Sequence, residues 1–281
     1  MSWAGSVFQI RPNFYQLMAR QAAGVATRKI NWGILSTANI GLEKVIPAIQ
    51  NSASSNVLGI ASRNAERAAQ AAKDLGIQKT YASYEALIAD PEIDAIYNPL
   101  PNDMHVDWTI AAAKAGKHVL CEKPIGLNAQ DAERLRSCPK DVMVTEAFMV
   151  RYHPQWLRLR EMVRSGELGQ VRAIQGAFSY FNDDKNNIRN RPENGGGAIM
   201  DIGCYPITAG RFLFEAEPLR VAALIERDPQ FKTDRTASVV ADFGGGRQLS
   251  FVVSTQLCPY QTLNVFGTKA RAEVMIPYNA P

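Results

Sequence analysis

Asp201 and Tyr205 stand four apart in Gly195-Gly-Gly-Ala-Ile-Met-Asp-Ile-Gly-Cys-Tyr205. On a helix that spacing sets two side chains on one face, able to address one pocket. A positioned phenol can move a proton to or from a substrate oxygen. It titrates near about 10, so a neighbouring cation is needed to favour its ionised form at neutral pH. Lys123, in Glu122-Lys-Pro124 after an apolar run, can supply that cation. A plain alternative stays open here: a glycine-led helix with Tyr205 as partly buried core and Asp201 capping its first turn.

A second place for chemistry is Ser36-Thr-Ala-Asn-Ile-Gly41, which joins an apolar strand to a helix predicted over Leu42–Gln50. A pyrophosphate would meet the N-terminus of that helix. Ser36 and Ala38 occupy the places of the first two glycines of the usual fingerprint, and only Gly41 remains to allow close helix-to-strand packing. Taken alone, a nucleotide-binding turn and a structural turn are evenly matched. The next strand ends in Ser62-Arg63-Asn64, without the acid that accepts hydrogen bonds from the ribose of NAD. A hydroxyl beside a guanidinium suits a 2′-phosphate, which favours NADP and leaves NAD as the other candidate. The competing view makes Arg63 a solvated loop charge.

The elements that must position these groups follow from periodicity. Between Lys29 and Phe148, strands at Ile30–Leu35, Asn56–Ala61, Lys79–Ala82, Ile93–Pro99, His118–Glu122 and Asp141–Thr145 alternate with helical segments, which predicts a parallel sheet. Asn64 caps and Gly76 stops one such helix, and Val106–Gly116 repeats the design. After Arg151 come one helix near Pro154–Ser165 and period-two strands at Val171–Phe181, Leu219–Ile225, Ala237–Phe243 and Gln248–Thr255, with Gly244-Gly-Gly246 turning between the last two. The expected architecture is an N-terminal Rossmann dinucleotide-binding domain over 29–148 and a C-terminal α+β domain over 149–281 with a large, mostly antiparallel, open-faced sheet. Residues 1–28 read as a loosely ordered extension, with a partner-clasping arm as the lesser alternative.

Tyr97-Asn-Pro-Leu-Pro-Asn-Asp-Met-His105, Ala115-Gly-Lys-His-Val-Leu-Cys-Glu-Lys-Pro124 and the Asp201-Ile-Gly-Cys-Tyr205 segment together resemble the glucose-fructose oxidoreductase, inositol dehydrogenase and rhizopine-catabolism family. The tyrosine at 205 is most like the dimeric dihydrodiol dehydrogenase branch. The resemblance spans about Lys29 to Pro281. It implies an NADP-dependent oxidoreductase acting on a sugar, polyol or dihydrodiol, with Lys123, Tyr205 and Asp201 catalytic. Ser36, Thr37, Ala38, Asn39, Ile40, Gly41, Ser62, Arg63, Arg67, Pro99, Leu100, Asn102, His105, Glu122, Lys123 and Arg151 are then the cofactor contacts. Arg189 and Asn182, with Asp201 and Tyr205, are the substrate contacts, Arg189 foremost in a polar loop that also holds Asn187 and Asn190. For Glu146 and Arg151 an interdomain salt bridge competes with a place beside the nicotinamide. His105 reads as structural or near the cofactor, and His118 and His153 as structural. The family usually continues past the point where this sequence stops, with more sheet and a helix, so the resemblance implies a shortened second domain. Within the family, a cofactor-retaining glycosidase acting by transient oxidation and a non-catalytic NADP-binding regulator are the alternatives.

Composition sets outer limits. The chain has 281 residues, 46% hydrophobic and 21% charged, which is the profile of a globular protein. A formal charge of +4 without a basic stripe argues against a nucleic-acid partner. No apolar run nears the roughly 20 residues of a membrane span. Cys121, Cys138, Cys204 and Cys258 show no paired spacing, so neither zinc nor a disulfide framework is expected, and a reducing cytoplasm is the simplest setting. The open sheet face predicts a homodimer or homotetramer.

Overall fold

The structure, a computed structural model, describes the backbone of residues 6–10 and residues 28–279. It divides into two compact units, one over 28–147 and one that joins 6–10 to 148–279. Most of the expected N-terminal extension lies outside the described residues. Ser6–Ile10, however, form strand β1 in place of irregular chain. The pairing that makes it a strand is remote in sequence and left no local signal.

In the first unit, β2 (Ile30–Leu35), β3 (Ser55–Ala61), β4 (Lys79–Tyr81), β5 (Ala95–Asn98), β6 (His118–Cys121) and β7 (Val144–Glu146) form one sheet in the order β4-β3-β2-β5-β6-β7. Every pairing is parallel. Successive residues point to opposite faces, so Ile34, Ile60 and Tyr97 enter one apolar cluster while Leu35, Ala61 and Ile96 enter the other. Burial on both faces explains why β5 is apolar or fully buried throughout. Helices α1 (Ile46–Gln50), α2 (Ala65–Leu75), α3 (Tyr84–Ala89), α4 (His105–Lys114) and α5 (Ala129–Glu133) complete the unit. In α2 the Asn64 side chain accepts from the Arg67 N–H at 2.9 Å, Ala68, Ala71 and Ala72 face inward, and Gly76 ends the helix at φ 64°.

The second unit opens with α6 (Pro154–Arg164), followed by β8 (Val171–Phe181), α7 (Cys204–Phe214), β9 (Arg220–Arg227), β10 (Asp234–Asp242), β11 (Gln248–Ser254), β12 (Gln256–Gly267) and β13 (Ala270–Val274). The sheet order is β1-β13-β12-β8-β11-β10-β9. Four junctions are antiparallel, while β1–β13 and β8–β11 are parallel. The sequence reading placed no strand after Thr255, so β12 and β13 are additions to it. Gly244, Gly245 and Gly246 all take positive φ between β10 and β11, as the turn requires. One sheet face packs on α6 and α7 through Trp156, Leu159, Phe178, Tyr205, Phe251 and Tyr278. The other face, with Ala177, Ala222, Ser238, Val240 and Val252, is left open by both helices.

His153 caps α6, its Nδ1 accepting from the Gln155 N–H at 3.3 Å, and Pro154 fills the first helical position. Burial holds the imidazole below its usual value of about 6.5, so the folded chain binds this proton less tightly than the unfolded chain does. The stability it contributes is therefore complete above about pH 6.5 and is lost as pH falls below that value. Melting scans from pH 7 to pH 5 should show a decline that His153→Asn flattens, and identical pH profiles for the two proteins would refute the assignment. A lost cap costs about 1 kcal/mol. No helix of the described residues is long and apolar enough to cross a membrane.

Candidate active site

Three side chains pin the backbone around Lys123 from within its own unit. The buried Tyr97 hydroxyl donates to Glu122 Oε1 at 2.7 Å. Glu146 Oε1 accepts from the Ile125 N–H at 2.9 Å. His105 holds its ring nitrogens 2.7 Å from the carbonyl oxygens of Pro124 and Leu100. The Lys123–Pro124 peptide is cis. These contacts hold the backbone on both sides of Lys123. Tyr97 was missed from sequence because its partner lies 25 residues away, and burial pushes its phenol up, so it remains a donor. His105, expected to be structural or near the cofactor, is 1% exposed and anchors the loop through both ring nitrogens. Pro99 and Leu100 are buried beside it. Glu146 serves this turn, and Arg151 lies exposed on a short helical turn over Met149–Tyr152.

The turn after β2 departs from its sequence reading in two ways. Ser36 itself takes φ 88°, the conformation usually left to glycine, and its Oγ accepts from the Ala38 N–H at 3.2 Å. The following helix includes a π-turn at Gly41–Val45 before α1. A Cβ on Gly41 would sit 3.4 Å from Tyr97 and 3.7 Å from Pro99, ordinary contact distances. Close packing on the strand therefore does not demand glycine at 41, contrary to expectation. The helix opens at Asn39 directly after the Ser36–Ala38 turn, and an N-terminus so placed suits a pyrophosphate, so the turn fits a dinucleotide. Thr37 is buried, whereas Asn39 and Ile40 are exposed.

After β3, Ser62 is 8% exposed and its Oγ accepts from the Asn64 N–H at 3.2 Å, so part of its role is to order the cap of α2. Arg63 is exposed and, with Ser62, Ser83, Tyr84, Met104 and Trp108, lines a recess of about 230 Å³. Tyr84 meets Trp108 edge-on at 4.9 Å within that wall. Arg67 lies exposed in the first turn of α2, and Asn102 is partly buried after Pro101.

In the second unit the triple glycine is required by its surroundings. Gly195 takes φ 69°, a Cβ on Gly196 would stand 2.5 Å from the Arg189 carbonyl oxygen, and Gly197 takes φ 120° with a Cβ position 2.1 Å from Asp234 Oδ1. Asp234 is the group that caps the ensuing helix, accepting from the Ile199 N–H at 2.7 Å, a role the sequence offered to Asp201. Asp201 instead lies in a π-turn over Ile199–Gly203 that leads into α7 and Tyr205. Four residues turn through nearly a full circle in π as in α geometry, so the step from Asp201 to Tyr205 still returns to about the same face. A polar cluster forms: Tyr180 donates to Asp201 Oδ2 at 2.5 Å, and Arg189 Nε donates to Asp201 Oδ1 at 3.1 Å. Chiefly through the charge of Asp201, the Arg189 guanidinium is held above its usual range. The Tyr205 ring is 6% exposed among Phe148, Phe178 and Tyr278, at centroid distances of 5.1, 5.6 and 5.3 Å. Asn182 braces its loop, its Oδ1 accepting from the Asp184 N–H at 3.0 Å and from the Asn190 amide at 3.3 Å.

A doubly wound parallel sheet whose first turn suits a pyrophosphate, joined in one chain to a mixed-sheet unit holding a Tyr–Asp–Arg cluster, defines an oxidoreductase of the nicotinamide-dinucleotide class. Residues 30–148 match the oxidoreductase family with an NAD-binding Rossmann fold, and residues 156–273 match the GFO/IDH/MocA C-terminal domain. The chain belongs to the GFO/IDH/MocA family. An uncharacterised oxidoreductase of Rhizobium meliloti is 48% identical over 252 residues, 89% of this chain and 75% of that protein. The NADP-dependent D-xylose 1-dehydrogenase 2 of Haloferax volcanii is 41% identical over 88% of this chain and 76% of its own length. A 3-ketoreductase from Actinomadura kijaniata, solved with NADP and TDP-benzene, superposes with a TM-score of 0.81 at 27% identity, covering 87% of this chain and 75% of that one.

Proposed function

We propose that the chain is an NADP-dependent oxidoreductase that interconverts a carbinol and a carbonyl on a sugar, polyol or dihydrodiol, with Tyr205 as acid–base group and Lys123 assisting. The observation that carries this reading is the Asp201–Arg189 ion pair at 3.1 Å, set on the turn that leads into α7 and Tyr205. Oxidising a carbinol removes a hydride from carbon and a proton from oxygen, and the bound nicotinamide dinucleotide supplies the hydride acceptor. Tyr205 takes the proton from the substrate oxygen and returns it in the reverse direction. Lys123 is the candidate for a cation that favours the ionised phenol. Ser62 and Arg63 hold the 2′-phosphate, the chemistry for which a planar donor fork beside a hydroxyl is suited. The NADP named for the Haloferax dehydrogenase and found with the Actinomadura ketoreductase supports the same choice.

The test is a panel of free sugars, polyols and dihydrodiols with NADP, followed at the absorbance band of the reduced nicotinamide. At least one should give net reduction of the cofactor, several-fold faster with NADP than with NAD. Cleavage of a chromogenic glycoside without net cofactor change would replace this reading by the hydrolytic one.

The same reading extends to assembly, a homodimer or homotetramer through the open face of the second unit's sheet. Leu224 is 81% and Val240 52% exposed there, among Ala177, Ala222 and Val252 with few charges, and burying such a patch releases apolar surface from water. Leu224→Glu combined with Val240→Arg should convert the oligomer to monomer in light scattering at micromolar concentration. A wild-type chain already monomeric there would remove the proposal.

A further inference from the structure

Asp201 uses both carboxylate oxygens inside its own unit, one for Tyr180 at 2.5 Å and one for Arg189 at 3.1 Å. Its side chain is 13% exposed, and a carboxylate so engaged acts more as an anchor than as a receptor for substrate hydroxyls. Arg189 is fixed from its backbone side as well. Asn187 caps its short helical turn, the Gly197 N–H donates to its carbonyl at 2.9 Å, and the buried Asn190 amide braces the loop through Asn182 and Asp184. What this geometry delivers is a guanidinium held at Nε by Asp201, on the turn that leads into α7 and four residues before Tyr205.

We infer that Tyr180 is a positioning residue for the reaction at Tyr205: it holds Asp201, Asp201 holds Arg189, and Arg189 is thereby kept as a second cation for the reacting phenol, besides Lys123. This rests on Tyr205 being the acid–base group. Tyr180 differs from Tyr205 in kind. Burial and the charge of Asp201 push its phenol up, so it stays protonated and serves as a permanent donor. An arginine tethered at Nε by a carboxylate keeps its planar fork in one orientation, whereas an untethered one spreads its charge over many rotamers. Deleting the Tyr180 hydroxyl removes one of the two bonds that orient Asp201 and loosens the chain of contacts at its root.

The experiment compares Tyr180→Phe, Arg189→Met and the double variant with wild type on whichever sugar or diol the panel identifies. Tyr180→Phe should lower kcat about tenfold, the scale of one hydrogen bond to a charged group, with KM within about twofold and an unchanged melting temperature. In the Arg189→Met background the same substitution should cost less than about twofold, because residues acting through one another are not additive. Full activity in Tyr180→Phe, or the same tenfold loss in both backgrounds, overturns the inference. A second readout needs no turnover: in protein labelled with carbon-13 at the tyrosine ring, the Tyr205 signal, assigned with Tyr205→Phe, should move in both single variants. A signal unmoved by Tyr180→Phe refutes the positioning role. A wild type inert on every substrate refutes the oxidoreductase reading instead.

Discussion

Tyr205→Phe is expected to lower kcat by about 10²–10⁴-fold, the usual contribution of a positioned acid–base group, while NADPH binding measured by fluorescence stays within about twofold. The substitution is well posed because the ring is already a packing element. Its three aromatic neighbours lie between 5.1 and 5.6 Å away, and phenylalanine preserves each of those contacts. Loss of activity without loss of melting temperature would then isolate the hydroxyl. Full retained turnover would strike Tyr205 from the mechanism and, with it, the part assigned to Arg189.

Gly197→Ala should strongly destabilise the second unit. At φ 120° an alanine is strained in any environment, and its Cβ would be placed 2.1 Å from Asp234 Oδ1, the other oxygen of the carboxylate whose Oδ2 caps the helix carrying Asp201 and Tyr205. Both the strain and the broken cap act in the same direction, and together they cost about 3 kcal/mol or more. Calorimetry should record a drop on the order of 10 °C in the melting of the second unit. Activity in the surviving folded protein should fall too, since the start of α7 has to move. A melting temperature within 2 °C of wild type, a shift worth well under about 1 kcal/mol, would contradict this account.

The parallel sheet was readable because each of its strands is a short apolar run closed by a turn residue, and α2 because Asn64 and Gly76 mark its ends. Boundaries moved by only a few residues: His118–Glu122 became His118–Cys121, and Ile93–Pro99 became Ala95–Asn98. β12 escaped notice because Gln256, Cys258 and Pro259 interrupt its alternation and its pairing with β8 shifts register between Gln256 and Tyr260. β1 was invisible for a different reason, its partner being more than 250 residues away. For the site, residue types and motif spacing singled out Lys123, Asp201, Tyr205 and Arg189. The residues that hold them, Tyr97, Tyr180 and Asp234, have no signature of their own. Each is an unremarkable residue in a strand until the fold sets it opposite a partner.

The pairing of β1 with β13 makes the first unit an insertion within the second. On a ribosome, the parallel sheet can close as soon as residue 147 has left the exit tunnel, but the mixed sheet cannot gain its outermost strand until Val274 has been made. Ser6–Ile10 must wait for more than 250 further residues to be made before the edge they complete exists. A tag fused ahead of them would hang from the rim of that late-forming sheet, at a distance in sequence from every residue proposed here for chemistry.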